Sequence, residues 1–182
     1  MFLHDAQDRT ESWKRRHSPE AIAIYGAWRW KGIQDNASAI FNEFHGNLIM
    51  DFGGKDGPIG FGSWVCDKED DPENFFPDVI FSSHTIEHIS DASGIIKDFY
   101  RWLGKEGGCL ILHVPAYTCE RWRAGSYHNE KQSDHLHTFC LSQDAETGFE
   151  CIDRMVAEAG FDIEKAEYVG DDSILIIARR RA

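Results

Sequence analysis

Long apolar runs are missing from this 182-residue sequence: no stretch approaches the roughly 20 residues that a membrane-spanning helix needs. The N-terminus, Met1-Phe2-Leu3-His4-Asp5, shows no basic segment followed by an apolar one, so neither a secretory leader nor a membrane partner is expected. Basic charge is also scarce. Lys and Arg number 19 against 31 Asp and Glu, a formal net charge of −12. Such a surface repels phosphate backbones, and no nucleic-acid partner is expected. The basic residues gather in two short runs, 14–16 and 179–181, which read as solvated flanks. Cysteine is sparse and unpatterned: five residues, an odd count with no Cys-x-x-Cys spacing, some inside apolar strand-like runs. That usage argues against a disulfide framework and for a reducing, cytoplasmic setting. Internal repeats and low-complexity segments are absent.

What remains is an ordinary globular composition, 42% hydrophobic and 27% charged, enough for one domain with a substantial core. The expected organisation is a single domain over 1–182, with an N-terminal helical extension at 1–46 and an α/β core at 47–182. Ser18-Pro19-Glu20 reads as a helix start, an N-cap followed by proline at the first helical position, and predicts a helix to about Lys31. Its aromatics Tyr25, Trp28 and Trp30 suit packing on a sheet or contact with a ligand. A second helix is predicted over 37–44.

Strand signals follow. Residues 47–51 form an apolar run ending in an acid and then in the turn Phe52-Gly53-Gly54-Lys55-Asp56-Gly57-Pro58. Residues 63–67 make a brief strand, again ending in an acid, and 78–83 a third. Apolar residues at 95, 96, 99, 100 and 103 repeat at a helical period and stop at the glycines of 104–108, and 109–114 is the most strand-like run in the chain. Residues 115–142 are long, irregular and rich in His, Trp and Tyr, the kind of segment that carries function in a compact domain. A helix over 145–159 and a hairpin of strands 161–169 and 173–178 complete the pattern. Strands alternating with helices predict a mainly parallel Rossmann-like α/β sheet with a C-terminal antiparallel hairpin and helices on both faces. Ligands in such sheets sit beyond the carboxyl ends of the strands, here 51–57, 67, 82–88 and 113–117.

Three blocks carry a family likeness: Leu48-Ile49-Met50-Asp51-Phe52-Gly53-Gly54, then Ser82-Ser83-His84-Thr85-Ile86-Glu87-His88-Ile89 after a strand, then Gly107-Gly108 opening the strand that ends His113-Val114-Pro115. Asp134-His135-Leu136-His137-Thr138-Phe139 and Ala159-Gly160-Phe161 continue it toward the C-terminus. The order resembles the class I S-adenosylmethionine-dependent methyltransferases, in particular the small-molecule branch called type 11, over residues 47 to 178. The resemblance implies a methyltransferase fold, S-adenosylmethionine as cofactor, and methyl transfer to oxygen or nitrogen of a small-molecule acceptor. It assigns Asp51, Gly53 and Gly54 to the methionyl part of the cofactor, Asp67 to its ribose, and Ser83 and His84 to its flank. Asp67 alternatively corresponds to a later acidic turn that meets adenine.

Only 16 positions separate Asp51 from Asp67 and 11 separate Asp67 from Asp78, too few for the connections usual in the family. A homodimer in which a second subunit completes the shortened pocket is one expectation, and a non-catalytic module that has lost part of it is the rival reading. Methyl transfer from a sulfonium is an in-line displacement in which the acceptor must lose a proton, and histidine is the natural base near neutral pH. His84 is the expected base, with Glu87 and His88 beside it. Trp122, Tyr127, His128 and His135, from the long irregular segment, are expected to face the acceptor. The run His84-x-x-Glu87-His88 also matches the pattern of inverted zinc peptidases. It sits at a strand end and its third ligand is unspecified; His128, His135 and His137 could add ligands but equally form a loop folding over the acceptor, and no metal is expected.

Overall fold

The computed structural model describes residues 27–54, 59–60, 63–66, 72, 75–127, 129, 134–170 and 172–182. The strands β1 (Ile49–Phe52), β2 (Trp64–Cys66), β3 (Val79–Ser83), β4 (Cys109–Pro115), β7 (Phe161–Val169) and β8 (Ser173–Arg180) form a six-stranded sheet of order β2-β1-β3-β4-β8-β7. A separate two-stranded pair joins β5 (Phe139–Cys140) to β6 (Glu150–Cys151). β1 to β4 run parallel, while β8 is antiparallel to both β4 and β7. The helices are α1 (Lys31–Asp35), α2 (Ala37–Phe44), α3 (Ala92–Trp102) and α4 (Ile152–Glu158).

Strand side chains alternate between two faces, so each strand feeds two separate cores. Met50, Phe52, Ile80, Leu110, Leu112, Ile174 and Ile176 pack with Ile96 and Phe99 of α3 and Ile152 and Val156 of α4. Ile49, Val79, Phe81, Ile111, Leu175 and Ile177 pack with Ile33 of α1 and Ile40 and Phe44 of α2. Helices therefore cover both faces, as the alternation of elements predicts. The same period of two places Asp51, Ser83 and His113 on the α1 and α2 face. Asp91 caps α3, its Oδ1 accepting from the Gly94 N–H at 2.7 Å, and Gly104, at φ 59°, follows the Leu103 that ends it.

Two predicted helices are corrected. The one expected to run from Ser18 to Lys31 lies outside the described residues as far as 26, and its remainder is a 3₁₀ turn, Ala27–Arg29. Trp30 is then extended (φ −81°, ψ 128°), and α1 begins at Lys31 where the prediction ends. Side-chain packing explains the break: Trp28 Nε1 donates to the Ile59 carbonyl at 2.9 Å, while Trp30 turns its indole onto His84. The helix expected over 145–159 is really a 3₁₀ stretch, Ser142–Thr147, then β6, then α4. Gly148, left-handed at φ 78°, ends the first piece and releases Glu150 and Cys151 to pair with Phe139 and Cys140. The part-exposed C-terminal basic run is tied to its neighbours. Arg179 bridges Glu43 at 2.6 Å and Glu164 at 3.1 Å, and the Arg180 guanidinium lies 4.4 Å from the centre of the Tyr100 ring. Among the described residues no helix is long and apolar enough to cross a membrane.

Candidate active site

β1 has β2 on one side and β3 on the other, so the chain changes direction across the sheet at the end of β1. Crevices at such switch points are the usual ligand sites of parallel sheets. On the β1 side the feature is a buried acid against bare backbone. Asp51 is 2% exposed, and its Oδ2 accepts from the Ile59 N–H at 2.6 Å. Burial pushes its carboxyl up to about 7, against the opposing pull of the Ile59 hydrogen bond. A Cβ on Gly54 would stand 2.3 Å from Asp51 Oδ2, and one on Gly53, at φ 81°, would stand 2.1 Å from Thr85 Oγ1. Gly54 is therefore demanded by Asp51 at the start of its own turn and Gly53 by Thr85 on the neighbouring chain exit.

The Asp51 carboxyl has a measurable consequence. Between its unfolded value of 3.8 and its folded value of about 7, the folded protein holds a proton that the unfolded chain has lost. Stability should therefore fall as pH rises through that window and level off above it, a decline on the order of 4 kcal/mol. Urea unfolding at about pH 5 and pH 8 is expected to show this slope in the parent and little of it in Asp51→Asn. Equal slopes in the two proteins would place the titration elsewhere.

On the β3 side the chain makes a tight exit. His84 has φ 49°, a region costly for a residue with a side chain, and its N–H donates to the His113 carbonyl at 2.8 Å. The His84 ring stacks on Trp30, centroids 4.0 Å apart and planes 12° apart. Its Nε2 lies 3.3 Å from Ser173 Oγ, and its Nδ1 lies 3.5 Å from Glu87 Oε1. Next to it Ser83 Oγ is 3.0 Å from Nδ1 of the buried His113.

Glu87 is the centre of a second cluster. It is fully buried, and among the described residues neither carboxylate oxygen has a hydrogen-bond partner of good geometry. His88 Nε2 and His135 Nε2 each lie 3.9 Å from Glu87 Oε1. Burial pushes this carboxyl up, but the imidazoles of His84 and His88 outweigh it and hold the group below the usual carboxylate range, as an anion. Burial also holds the His135 ring below the usual imidazole range against the pull of Glu87, so it is neutral near pH 7. The long segment reaches the cluster through backbone: the Leu136 N–H donates to the Glu87 carbonyl at 2.8 Å. The Asn129 amide clasps the His135 backbone in both directions, each bond 2.8 Å.

The structure thus gathers Ser83, His84, Glu87, His88 and His135, with Asp51, Gly53 and Gly54 at the end of the neighbouring strand. Trp122 joins through its carbonyl, 3.0 Å from His135 Nδ1, while its ring lies under the Arg121 guanidinium. Tyr127 is 72% exposed, and its place at an acceptor remains an expectation. Asp67 and His128 lie outside the described residues. Thr85, Ser173 and Trp30 are site neighbours that no motif marks. Only Trp30 carries a local signal, an aromatic at a predicted helix end.

No protein-family model matches the sequence. A short stretch of 47 residues, 26% of this chain, is 45% identical to phosphoethanolamine N-methyltransferase 3 of Arabidopsis thaliana, and it spans 9% of that protein's length. Among solved structures, a protein of Listeria monocytogenes assigned as an S-adenosylmethionine-dependent methyltransferase superposes with a TM-score of 0.52 at 13% identity, covering 83% of this chain and 97% of that one. A SAM-dependent methyltransferase of Methanosarcina mazei superposes with a TM-score of 0.52 at 14% identity, covering 79% of this chain and 97% of that one. The [4+2]-cyclase SpnF superposes as well, TM-score 0.51 at 13% identity over 87% of each chain. The chain has the class I methyltransferase fold. Because the same fold also serves a cyclase, the reaction has to be argued from the site.

Proposed function

We propose that the protein transfers a methyl group from S-adenosylmethionine to an oxygen or nitrogen of a small-molecule acceptor. The observation that carries this reading is one juxtaposition: a buried acid facing bare glycine backbone at the end of β1, beside a histidine–glutamate pair at the end of β3. The cofactor brings a cationic methionyl tail that needs an acid and close backbone approach. Asp51, Gly53 and Gly54 fit that need, since a buried carboxyl raised toward neutrality is one an ammonium group would restore to its charged form. Those three residues would hold the tail, with Ser83 and His84 alongside and Asp67 as the proposed ribose acid. The bound cofactor supplies the electrophilic methyl.

The remaining work falls to the protein. In this reading Nδ1 of His84 faces Glu87 at 3.5 Å, and Nε2, 3.3 Å from the Ser173 hydroxyl, exchanges that contact for the acceptor's proton as the acceptor attacks the methyl. The stack on Trp30 and the Ser173 hydroxyl hold the ring in one orientation. His88, whose side chain is 35% exposed, and the loop carrying His135 form the side of the site open to an acceptor. One observation favours the rival reading of a non-catalytic module: among the described residues β2 alone extends the sheet beyond β1, so the cofactor has a narrow ledge to lie on.

Titration calorimetry of the purified protein with S-adenosylmethionine and with its demethylated product separates the two. Micromolar binding of both is expected for the enzyme. A folded protein that binds neither at millimolar concentration would be the non-catalytic module, and its search should turn from substrates to partners.

A further inference from the structure

Three potential ligand atoms converge beside β3: a Glu87 carboxylate oxygen, His88 Nε2 and His135 Nε2, all within 4.8 Å of one another. The hydrogen bonding around them is lopsided. His135 Nδ1 is 3.0 Å from the Trp122 carbonyl, and His88 Nδ1 is 3.4 Å from Asp134 Oδ1. The Trp122 carbonyl can only accept, so the neutral His135 ring carries its hydrogen on Nδ1 and turns the lone pair of Nε2 inward, and a cation at the centre would favour the same tautomer in His88. The His135 lone pair, His88 Nε2 and a buried carboxylate then face one another. Among the described residues the nearest hydrogen offered to Glu87 is that on His84 Nδ1, at 3.5 Å, long and poorly aligned. A positive charge at the centre of such a set relieves it, and a metal cation meets all three atoms at once where a proton on His88 meets one carboxylate oxygen.

We propose that Glu87, His88 and His135 bind one divalent first-row transition cation, with zinc the first candidate. The donor set fits: imidazole and carboxylate together suit borderline cations, and three protein ligands leave one position for water or for an acceptor oxygen. The outer contacts fit as well. Metal-bound histidines usually pass their second ring hydrogen to a carbonyl or a carboxylate, and the Trp122 carbonyl and the Asp134 carboxylate stand 3.0 and 3.4 Å from the two Nδ1 atoms. Separations of 3.9 Å from Glu87 Oε1 to each Nε2 are a few tenths wider than the about 3.4 Å of a tetrahedral site with bonds near 2.1 Å. The two Nε2 atoms lie within 4.8 Å of each other, so binding draws the histidines toward one another as well as toward Glu87.

The constellation differs from the one suggested by the run His84-x-x-Glu87-His88. In that pattern both histidines of the run hold the metal. Here the His84 ring is committed to Trp30 and Ser173, and His135, 47 positions after His88 in the chain, takes its place. His137 is not a ligand: its Nδ1 meets Glu150 Oε1 and its Nε2 the Ile89 carbonyl, both at 2.8 Å. The site stands whether or not the protein transfers methyl groups.

The test uses the untagged 182-residue protein, stripped with a chelator, dialysed, and titrated with zinc chloride by calorimetry in the presence of a weak competing chelator. Cobalt(II) in parallel reports coordination through its visible spectrum. One equivalent per chain is expected, with affinity falling at least ~100-fold in Glu87→Gln and in His88→Ala, and about 10-fold in Asp134→Asn. Asp134 is 93% exposed in its side chain and His88 35%, so these two variants keep the test alive if Glu87→Gln does not fold. No stoichiometric uptake by the parent would overturn the proposal. Uptake that survives both His88→Ala and Asp134→Asn would overturn it too, by placing the metal elsewhere among the nine histidines.

Discussion

Replacing His84 is expected to cost roughly 10²- to 10⁴-fold in turnover while leaving affinity for S-adenosylmethionine nearly unchanged, the range that loss of a positioned general base produces. The choice of variant matters because the residue sits at φ 49°. Alanine there adds backbone strain to the loss of the stack on Trp30, so low activity in His84→Ala alone would mix folding with chemistry. Asparagine tolerates the left-handed region better than other residues and has no basic nitrogen, so His84→Asn isolates the proton transfer. Single-turnover rates with calorimetric binding on the same samples make the separation. Turnover at the parental rate in a folded His84→Asn protein would remove His84 from the mechanism.

Gly53→Ala should be the most damaging small substitution in the glycine turn. Two costs combine: a left-handed φ of 81°, worth on the order of 1 kcal/mol for a residue with a side chain, and a Cβ placed 2.1 Å from Thr85 Oγ1 and 2.6 Å from Thr85 Cβ. The neighbour cannot yield easily, because Thr85 Oγ1 is 3.1 Å from the Ser83 carbonyl it donates to. A loss of about 2–4 kcal/mol is expected in urea unfolding, with weakened cofactor binding because the turn has to move. Removing the opposing side chain provides the control. In a double-mutant cycle, Thr85→Gly should return the steric part and leave the cost of the backbone conformation. Strictly additive losses would mean that the two residues do not meet as described.

Much of the scaffold is legible in the sequence because its causes are local. The apolar runs at 47–51, 78–83 and 109–114 become β1, β3 and β4, and the helical period of 95–103 becomes the buried side of α3. The hairpin predicted around Gly170 is the β7–β8 pair. Where prediction fails, a distant side chain has overruled the local preference. Trp30 ends a turn and opens α1 because its indole is held by His84, 54 positions away, and Gly148 with Phe149 divides a predicted helix because β5 offers Glu150 a partner.

The site divides in the same way. The sequence alone determined the fold class and which residues stand at the strand ends, Asp51 to Gly54 and Ser83 to His88, because alternation, glycine and charge act between near neighbours. Only the tertiary structure decided which of them meet. Ser173 on an antiparallel strand is brought to His84, Trp122 and His135 from the long irregular segment are brought to Glu87, and Gly53 is brought under Thr85. The physical reason is that those contacts depend on strand order and on where a loop's backbone hydrogen bonds end, above all that of Leu136 to the Glu87 carbonyl. Neither leaves a periodic trace along the chain.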